Sequence, residues 1–424
     1  RMDHPRTSLR AATRSKIEWL AGKLSRVTST GELIPEVDGL RFIAISAVLF
    51  HHLLAMFLSG SGRSPEVRTY ASWFAAADQS WLVIPAYCGH FGVNLFFVIS
   101  GFVLALPFAK RAFNEQAAPD LKPYYLRRIT RIEPPYLLSL IVIFFIHWEQ
   151  RGEGLQVVPN LIASLFYSHG LVYGRESLIN GVAWSLEIEI QFYLLVPLLV
   201  KMFRLRSDAR RRWLLVSLIV GFGLLSQCVI YPSGSARLCL TLLNFAHYFL
   251  TGFLLADLYL TGKLRRADKR LSWDIVTLAA AVAILATLSR FGHFYFLLPL
   301  MVGLLYAGFF LGRLSNALVR MRWIVIIGGM CYTIYLYHIL IISNLMTKTI
   351  PFASITRPFN LDFALQCLMI LPVVFAACAA LFIYAEKPFM WWSLSARPAP
   401  RPAPRPAPRP AKDLEVTPAL AGDP

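Results

Sequence analysis

What most limits the possible folds of this chain is a series of long apolar runs. A helix needs about 20 mostly apolar residues to cross a hydrocarbon layer of roughly 30 Å. Ten such runs stand out, at residues 42–59, 91–108, 136–148, 182–200, 213–231, 240–260, 273–289, 294–312, 323–346 and 364–385. The third is short and can extend backwards into a basic stretch. The run 157–172 is broken by Pro159, Asn160, Ser164 and His169, so it reads as an interfacial or re-entrant piece rather than a further span. Composition points the same way: 56% of the 424 residues are hydrophobic and 16% are charged. A soluble domain carries about 25% charged residues. The expected fold class is all-α, a polytopic membrane protein with about ten transmembrane helices. A soluble enzyme, a disulfide scaffold and a disordered chain are excluded. The six cysteines are scattered with no C-x-x-C spacing, so they read as small core residues, and no metal site is expected.

The loops test this count. Before and between the first nine runs, Lys+Arg number 8, 2, 6, 2, 6, 1, 5, 1 and 3; the next loop holds Lys348 and Arg357, and the tail holds six more. Basic and poor loops alternate without a break, which places both termini in the cytoplasm. The formal net charge of +18 is therefore a topological signal, and no nucleic-acid partner is implied. No apolar core with a cleavage site precedes Phe42, so a signal peptide is not expected. Residues 8–26 have the pattern of a basic amphipathic helix on the inner surface. Arg-Pro units recur at Arg397, Arg401, Arg405 and Arg409, a polyproline-like tail that cannot build a core. The chain divides into a basic segment 1–36, a transmembrane domain 37–392 and an Arg/Pro/Ala-rich cytoplasmic tail 393–424.

Ionisable groups inside a span are costly and are functional candidates by default. Here they are His51, His52, Glu187, Glu189, His247, Asp257 and His338, with Asp38 and Arg41 at the mouth of the first run. The spacing Arg41-x10-His52 returns His52 to within about 20° of Arg41, three helical turns on. His51 lies about 80° off that line. His52 reads as a general base facing a polar cavity, or equally as a structural histidine bonded to a neighbouring helix. Glu187 and Glu189 are about 200° apart, so one pocket hardly holds both. Glu189 shares a stripe with Ser185 and Tyr193, which suits either a site wall or interhelical hydrogen bonding. His338 ends the tyrosine-rich stretch Tyr332-Thr333-Ile334-Tyr335-Leu336-Tyr337. Arg127, Arg128 and Arg131 can converge on one helix face and suit phosphates; the simpler reading is the positive-inside signal. Ser100 has no nucleophile elbow around it, and no phosphate-binding loop or metalloprotease motif is present.

Together these segments resemble the acyltransferase family 3 membrane proteins, which O-acylate sugars and related acceptors. Asp38-Gly39-Leu40-Arg41 with His52 looks like the family's Arg-x10-His signature. Gly92-Val93 through Phe96-Phe97 and Ser100-Gly101-Phe102 looks like its second-helix block. Arg127, Arg128 and Arg131 with Pro134 and Tyr136 resemble its arginine motif. Trp184-Ser185-Leu186 with Glu189, Phe192 and Tyr193 resembles another block. Gly328, Tyr332, Tyr335, Leu336 and His338, then Glu386-Lys387-Pro388, resemble the last two. The likeness spans about residues 35–392. Departures are Tyr337, where many members carry Trp, and the polar link Glu133-Pro134-Pro135. Some members carry a fused extracytoplasmic hydrolase-like domain; none is seen here, so the membrane domain is expected to handle the acceptor itself or with a separate partner.

The resemblance implies transfer of an acyl group, acetyl in the first instance, from cytoplasmic acyl-CoA to a hydroxyl of a cell-envelope or exported carbohydrate. Acyl-CoA is then a donor substrate, and no permanently bound cofactor is implied. Arg127, Arg128 and Arg131 would hold the CoA phosphates and Arg41 would line the entrance or orient the thioester. His52 would deprotonate the hydroxyl, or carry the acyl group transiently. Glu189 and His338 would orient the acceptor or set the protonation of His52. Asp38, Ser100, Trp184, Tyr193 and Tyr335 would be structural or line the acceptor site. The loops fit a bacterial inner membrane. The rival class is a multi-pass transporter, but no inverted repeat relates the two halves.

Overall fold

A computed structural model describes residues 18–27, 33–63, 69–117, 120–152, 154–353 and 357–390. The Arg/Pro tail 393–424 and most of the proposed amphipathic stretch lie outside the described residues; within that stretch, residues 18–24 are helical. Ten longer helices carry the fold: α1 (Pro35–Gly60), α2 (Gly92–Phe113), α3 (Leu121–Arg151), α4 (Trp184–Leu199), α5 (Asp208–Leu225), α6 (Leu242–Leu260), α7 (Leu271–Ser289), α8 (Leu298–Leu311), α9 (Cys331–Thr349) and α10 (Phe359–Leu381). No strand is formed among the described residues. The protein is an all-α, multi-pass membrane protein.

Among the described residues, eight helical stretches are long and apolar enough to cross a bilayer, and a ninth arises when Arg322–Gly329 and Cys331–Phe352, bent by 71°, are taken as one span. They match nine of the ten sequence runs. The third is indeed longer than its apolar core: α3 has 31 residues and takes in the basic stretch. The run that falls short is 182–200. Its helix α4 has 16 residues, flanked by 3-10 turns at Gly181–Ala183 and Val200–Arg204. At about 1.5 Å per residue, α4 by itself reaches only about 24 Å. The broken run 157–172 forms two short helices, Val158–Leu165 and His169–Tyr173, as its interruptions suggest.

Close backbone contact sets the helix arrangement. At the crossing of α2 and α6, a Cβ on Gly101 would lie 2.1 Å from the Phe249 carbonyl oxygen, and one on Gly252 would lie 2.3 Å from that of Val98. Glycine at both positions lets the two backbones touch, as small residues do in membranes. Phe97 stacks on Phe249, and Phe249 on Phe192 of α4, to fill the space beside that crossing.

Three of the buried charges are absorbed by architecture. Asp257 of α6 is fully buried and pairs with both Arg211 and Arg212 of α5; the Arg212 Nε–carboxylate distance is 2.6 Å. Arg211 also reaches Asp208 at 2.7 Å. Glu187 of α4 accepts the Gly170 N–H at 2.8 Å and so ties down the short-helix segment. Asp362 of α10 pairs with Arg357 at 3.1 Å.

Candidate active site

The first turns of α1 carry a buried ion cluster. Asp38, 1% exposed, pairs with Arg41 one turn on and with Arg26 from the N-terminal segment at 2.9 Å. A shared carboxylate fixes both guanidiniums, and an ion pair held out of water needs such partners to be tolerable. Gly328, in the short helix before α9, lies against the Asp38 backbone, where a Cβ would be only 1.8 Å from the Asp38 oxygen.

Arg41 then lines a cavity of about 130 Å³ together with Arg128 and Arg131 of α3. Arg128 lies 5.8 Å from the Tyr193 ring centroid. The wall opposite is polar and comes from α2, α4 and α9. Ser100 donates to Glu189 at 2.6 Å, and the Tyr193 hydroxyl donates to the same carboxylate oxygen. Ser185 and Tyr335 share a hydroxyl contact of 2.7 Å, and Tyr335 also donates to the Val182 carbonyl. Three guanidiniums facing hydroxyls and one carboxylate form a site for an anionic group with hydrogen-bonding substituents. A larger cavity of about 410 Å³, between α1, α2 and α7, is lined by such residues as Phe50, Leu95 and Ile284 and by no charged side chain. The charged side chains therefore line the smaller cavity and not the larger one.

His52 and His338 lie outside that cavity and face each other, with ring centroids 5.1 Å apart. The helical alignment holds: Arg41 and His52 both face α9, Arg41 opposite its first turn and His52 opposite His338. About 16 Å of α1 separates the two. His338 is fully buried, and its Nδ1 lies 2.8 Å from the Tyr335 carbonyl and 3.0 Å from that of Ile334. A carbonyl oxygen only accepts, so Nδ1 carries the proton and Nε2 holds a lone pair. That Nε2 is buried with no hydrogen-bond partner among the described residues. Tyr335 joins the two regions: it lines the arginine cavity and its ring lies 6.1 Å from that of His338.

Several expectations change. Of the arginine trio, Arg128 and Arg131 line the cavity, whereas Arg127 is exposed and lies outside the lining. Adjacent helical residues diverge by about 100°, so Arg127 and Arg128 cannot share one wall. Glu189 sits on the cavity wall, where it accepts from Ser100 and Tyr193. Trp184 packs its ring on Phe245 and Phe97, between α2 and α6, and does not line the site. Arg26 and His90 are not among the candidates that the sequence singles out, and His51, a candidate set about 80° off the Arg41–His52 line, also lies beside His52. Arg26 lies in the segment before the first run, and nothing in its spacing points to Asp38. The histidines left a readable trace, since Gly89-His90-Phe91-Gly92 adjoins an apolar run and Gly89 brings that turn against α1. Among the described residues, no group of three His, Cys, Asp or Glu side chains is arranged to hold a metal.

The profile of the acyltransferase domain of family 3 matches residues 34–383. The chain belongs to this family. Its match covers all ten helices, and so includes the arginine cavity and the histidine pair. A peptidoglycan O-acetyltransferase OatA of Listeria monocytogenes is 27% identical over 388 residues, which is 84% of this chain and 54% of that protein. An O-acetyltransferase OatA of Staphylococcus aureus strain NCTC 8325 is 25% identical over 330 residues, or 72% of this chain and 50% of that protein. A putative O-acetyltransferase of S. aureus strain COL is 22% identical over 388 residues, covering 84% of this chain and 57% of that protein. The chain thus spans about half the length of these curated relatives. No solved structure matches it.

Proposed function

We propose that the protein moves an acetyl group from cytoplasmic acetyl-CoA to a hydroxyl of a cell-envelope carbohydrate, in a bacterial inner membrane with both termini cytoplasmic. The observation that carries this reading is the cavity in which Arg41, Arg128 and Arg131 meet Ser100, Glu189 and Tyr335, one residue contact away from the His338–His52 pair. The names of the relatives, which act on peptidoglycan in one case, favour a glycan acceptor.

On this reading the three guanidiniums hold the anionic end of acetyl-CoA, and Asp38 with Arg26 holds Arg41 in place. The flexible arm of the donor carries the thioester past Tyr335 towards the histidines. His52 accepts the proton of the acceptor hydroxyl as that oxygen attacks the thioester carbon. His338, locked as the Nδ1–H tautomer, offers its Nε2 lone pair to the same hydroxyl or to His52. General base catalysis of this kind contributes about 10²–10⁴-fold. The C–S bond breaks, and the CoA thiolate leaves beside the arginines, whose charge favours it.

The test is purified protein in nanodiscs with radiolabelled acetyl-CoA and a glycan panel that includes chito-oligosaccharides and peptidoglycan fragments. Wild type should release CoA and label one class of glycan. His52→Ala should bind acetyl-CoA as wild type does and lose the transfer. Transfer retained in His52→Ala moves the chemistry to His338; no acetyl-CoA binding or turnover by wild type overturns the enzyme reading in favour of transport.

A further inference from the structure

Beyond the His52–His338 pair, two more imidazoles continue the row. His51 lies 5.3 Å from His52, ring centre to ring centre, and His90 lies 5.4 Å from His51. With the 5.1 Å step to His338, four rings run in sequence. Their settings share one feature. His51 Nδ1 lies 3.2 Å from the Ala86 carbonyl and 3.1 Å from that of Tyr87, and His90 Nδ1 lies 2.8 Å from the Tyr87 carbonyl. By the same reasoning as for His338, both rings carry their proton on Nδ1 and keep a lone pair on Nε2. Three of the four imidazoles are therefore fixed as proton acceptors by backbone carbonyls. The row is graded in exposure: His338 is buried, His52 and His51 are half-buried, and His90 is exposed. Its walls are aromatic: Trp73 stacks on His51 at 5.4 Å, and Tyr87 lies edge-on to His90 at 5.8 Å. Among the described residues, no carboxylate is in ring contact or hydrogen bond with the row to trap a proton on it.

We propose that His52, His51 and His90 form a route that carries the acceptor's proton away from the arginine cavity to the opposite end of the site. This rests on the acyl-transfer reading above. The acceptor O–H bond breaks and its proton passes to His52, then by way of His51 and His90 to solvent. The new C–O bond forms, the C–S bond breaks, and the CoA thiolate takes its proton from water on the arginine side. Each turnover thus consumes one proton at the arginine end and releases one at the His90 end. A direct hand-over from hydroxyl to thiolate would move none. His51 and His90 act through His52 and are positioning and relay residues, not catalytic ones.

Sealed proteoliposomes loaded with a pH-sensitive dye and chito-oligosaccharides test the route, with acetyl-CoA added outside. External acetyl-CoA engages only molecules whose arginine cavity faces out, so their His90 end faces the lumen. Wild type should release CoA and acidify the lumen by about one proton per CoA. His90→Phe and His51→Phe should bind acetyl-CoA as wild type does, turn over at least tenfold more slowly, and recover when imidazole is loaded in the lumen. CoA release without acidification, or normal rates in both variants, would overturn the route and leave acyl transfer standing. Slowed variants that imidazole does not rescue would also overturn it, because a packing role predicts that result. An absence of CoA release from wild type would overturn acyl transfer itself.

Discussion

At the scale of single residues, the site depends on which lone pairs and charges the fold leaves available. His338 is the clearest instance, since a backbone carbonyl fixes its tautomer and leaves Nε2 buried without a partner. Replacing it with Gln, which retains a hydrogen-bonding end but no basic nitrogen, is expected to lower kcat by about 10²-fold while KM for acetyl-CoA holds. Steady-state kinetics with CoA release as the readout checks this split. Glu189 is a different case. It accepts two hydroxyls on the cavity wall, from Ser100 and Tyr193. Glu189→Leu leaves both hydroxyls without their acceptor at a cost of about 1–3 kcal/mol. Glu189→Gln keeps an acceptor and is expected to retain most binding, so isothermal titration with CoA should separate the two variants. Of the sequence-level residues, Arg41, Arg128, Arg131, Ser100, Glu189, Tyr193 and Tyr335 are brought to one cavity, because each motif repeats at helical spacing and shows one face. Arg127 and Trp184 were not separable from them by spacing, since a motif names neighbours without saying which of them turns inward.

At the scale of elements, helix contacts turn on a few small or paired residues. The α2–α6 crossing has no room for a side chain at Gly101, so Gly101→Val is expected to abolish the folded monomer peak in detergent size exclusion. Gly221 of α5, with nothing near it, is the matched control and should tolerate alanine. The Asp257 staple makes a graded prediction. Asp257→Asn leaves Arg211, 2% exposed, and Arg212 short of a carboxylate. Breaking a buried pair costs about 3–5 kcal/mol, and Asp208 keeps part of the pairing, so about 3 kcal/mol is expected. A fall in Tm of the detergent-solubilised protein, with the CoA affinity unchanged, is the matching measurement. Element lengths were readable where apolar runs were continuous. The shortness of α4 was not, because residues 182–200 read as one mostly apolar run holding Ser185, Glu187, Glu189 and Gln191, whereas the helix gives way to 3-10 turns at both ends.

At the scale of the whole molecule, charge is arranged along the direction of the helices. The guanidiniums of Arg26, Arg41, Arg128 and Arg131 gather near the first turns of α1 and α9, and the histidine row runs on from there. On the proposed reading, an anionic donor would be drawn to that end. Arg128→Ala with Arg131→Ala is expected to raise KM for acetyl-CoA at least tenfold, with little change in kcat. The wild-type KM should rise with salt more steeply than that of the double variant, since screening acts on the charges removed. Equal salt dependence in both proteins would place donor binding elsewhere.

The class of molecule was legible in the amino-acid order, because a run of apolar residues and an alternation of basic loops are local properties with direct physical consequences in a bilayer. That order also showed which residue types carry chemistry, since ionisable groups in an apolar run stand out without any knowledge of their partners. Which residue meets which was settled by the packing of the helices. Asp38 takes Arg26 as well as Arg41, Glu189 serves the cavity wall, and His338 keeps one lone pair while His51 and His90 extend the row. These pairings join residues up to about 290 positions apart, as at His52 and His338. Helical periodicity fixes the face a residue shows. It does not fix which distant helix that face will meet.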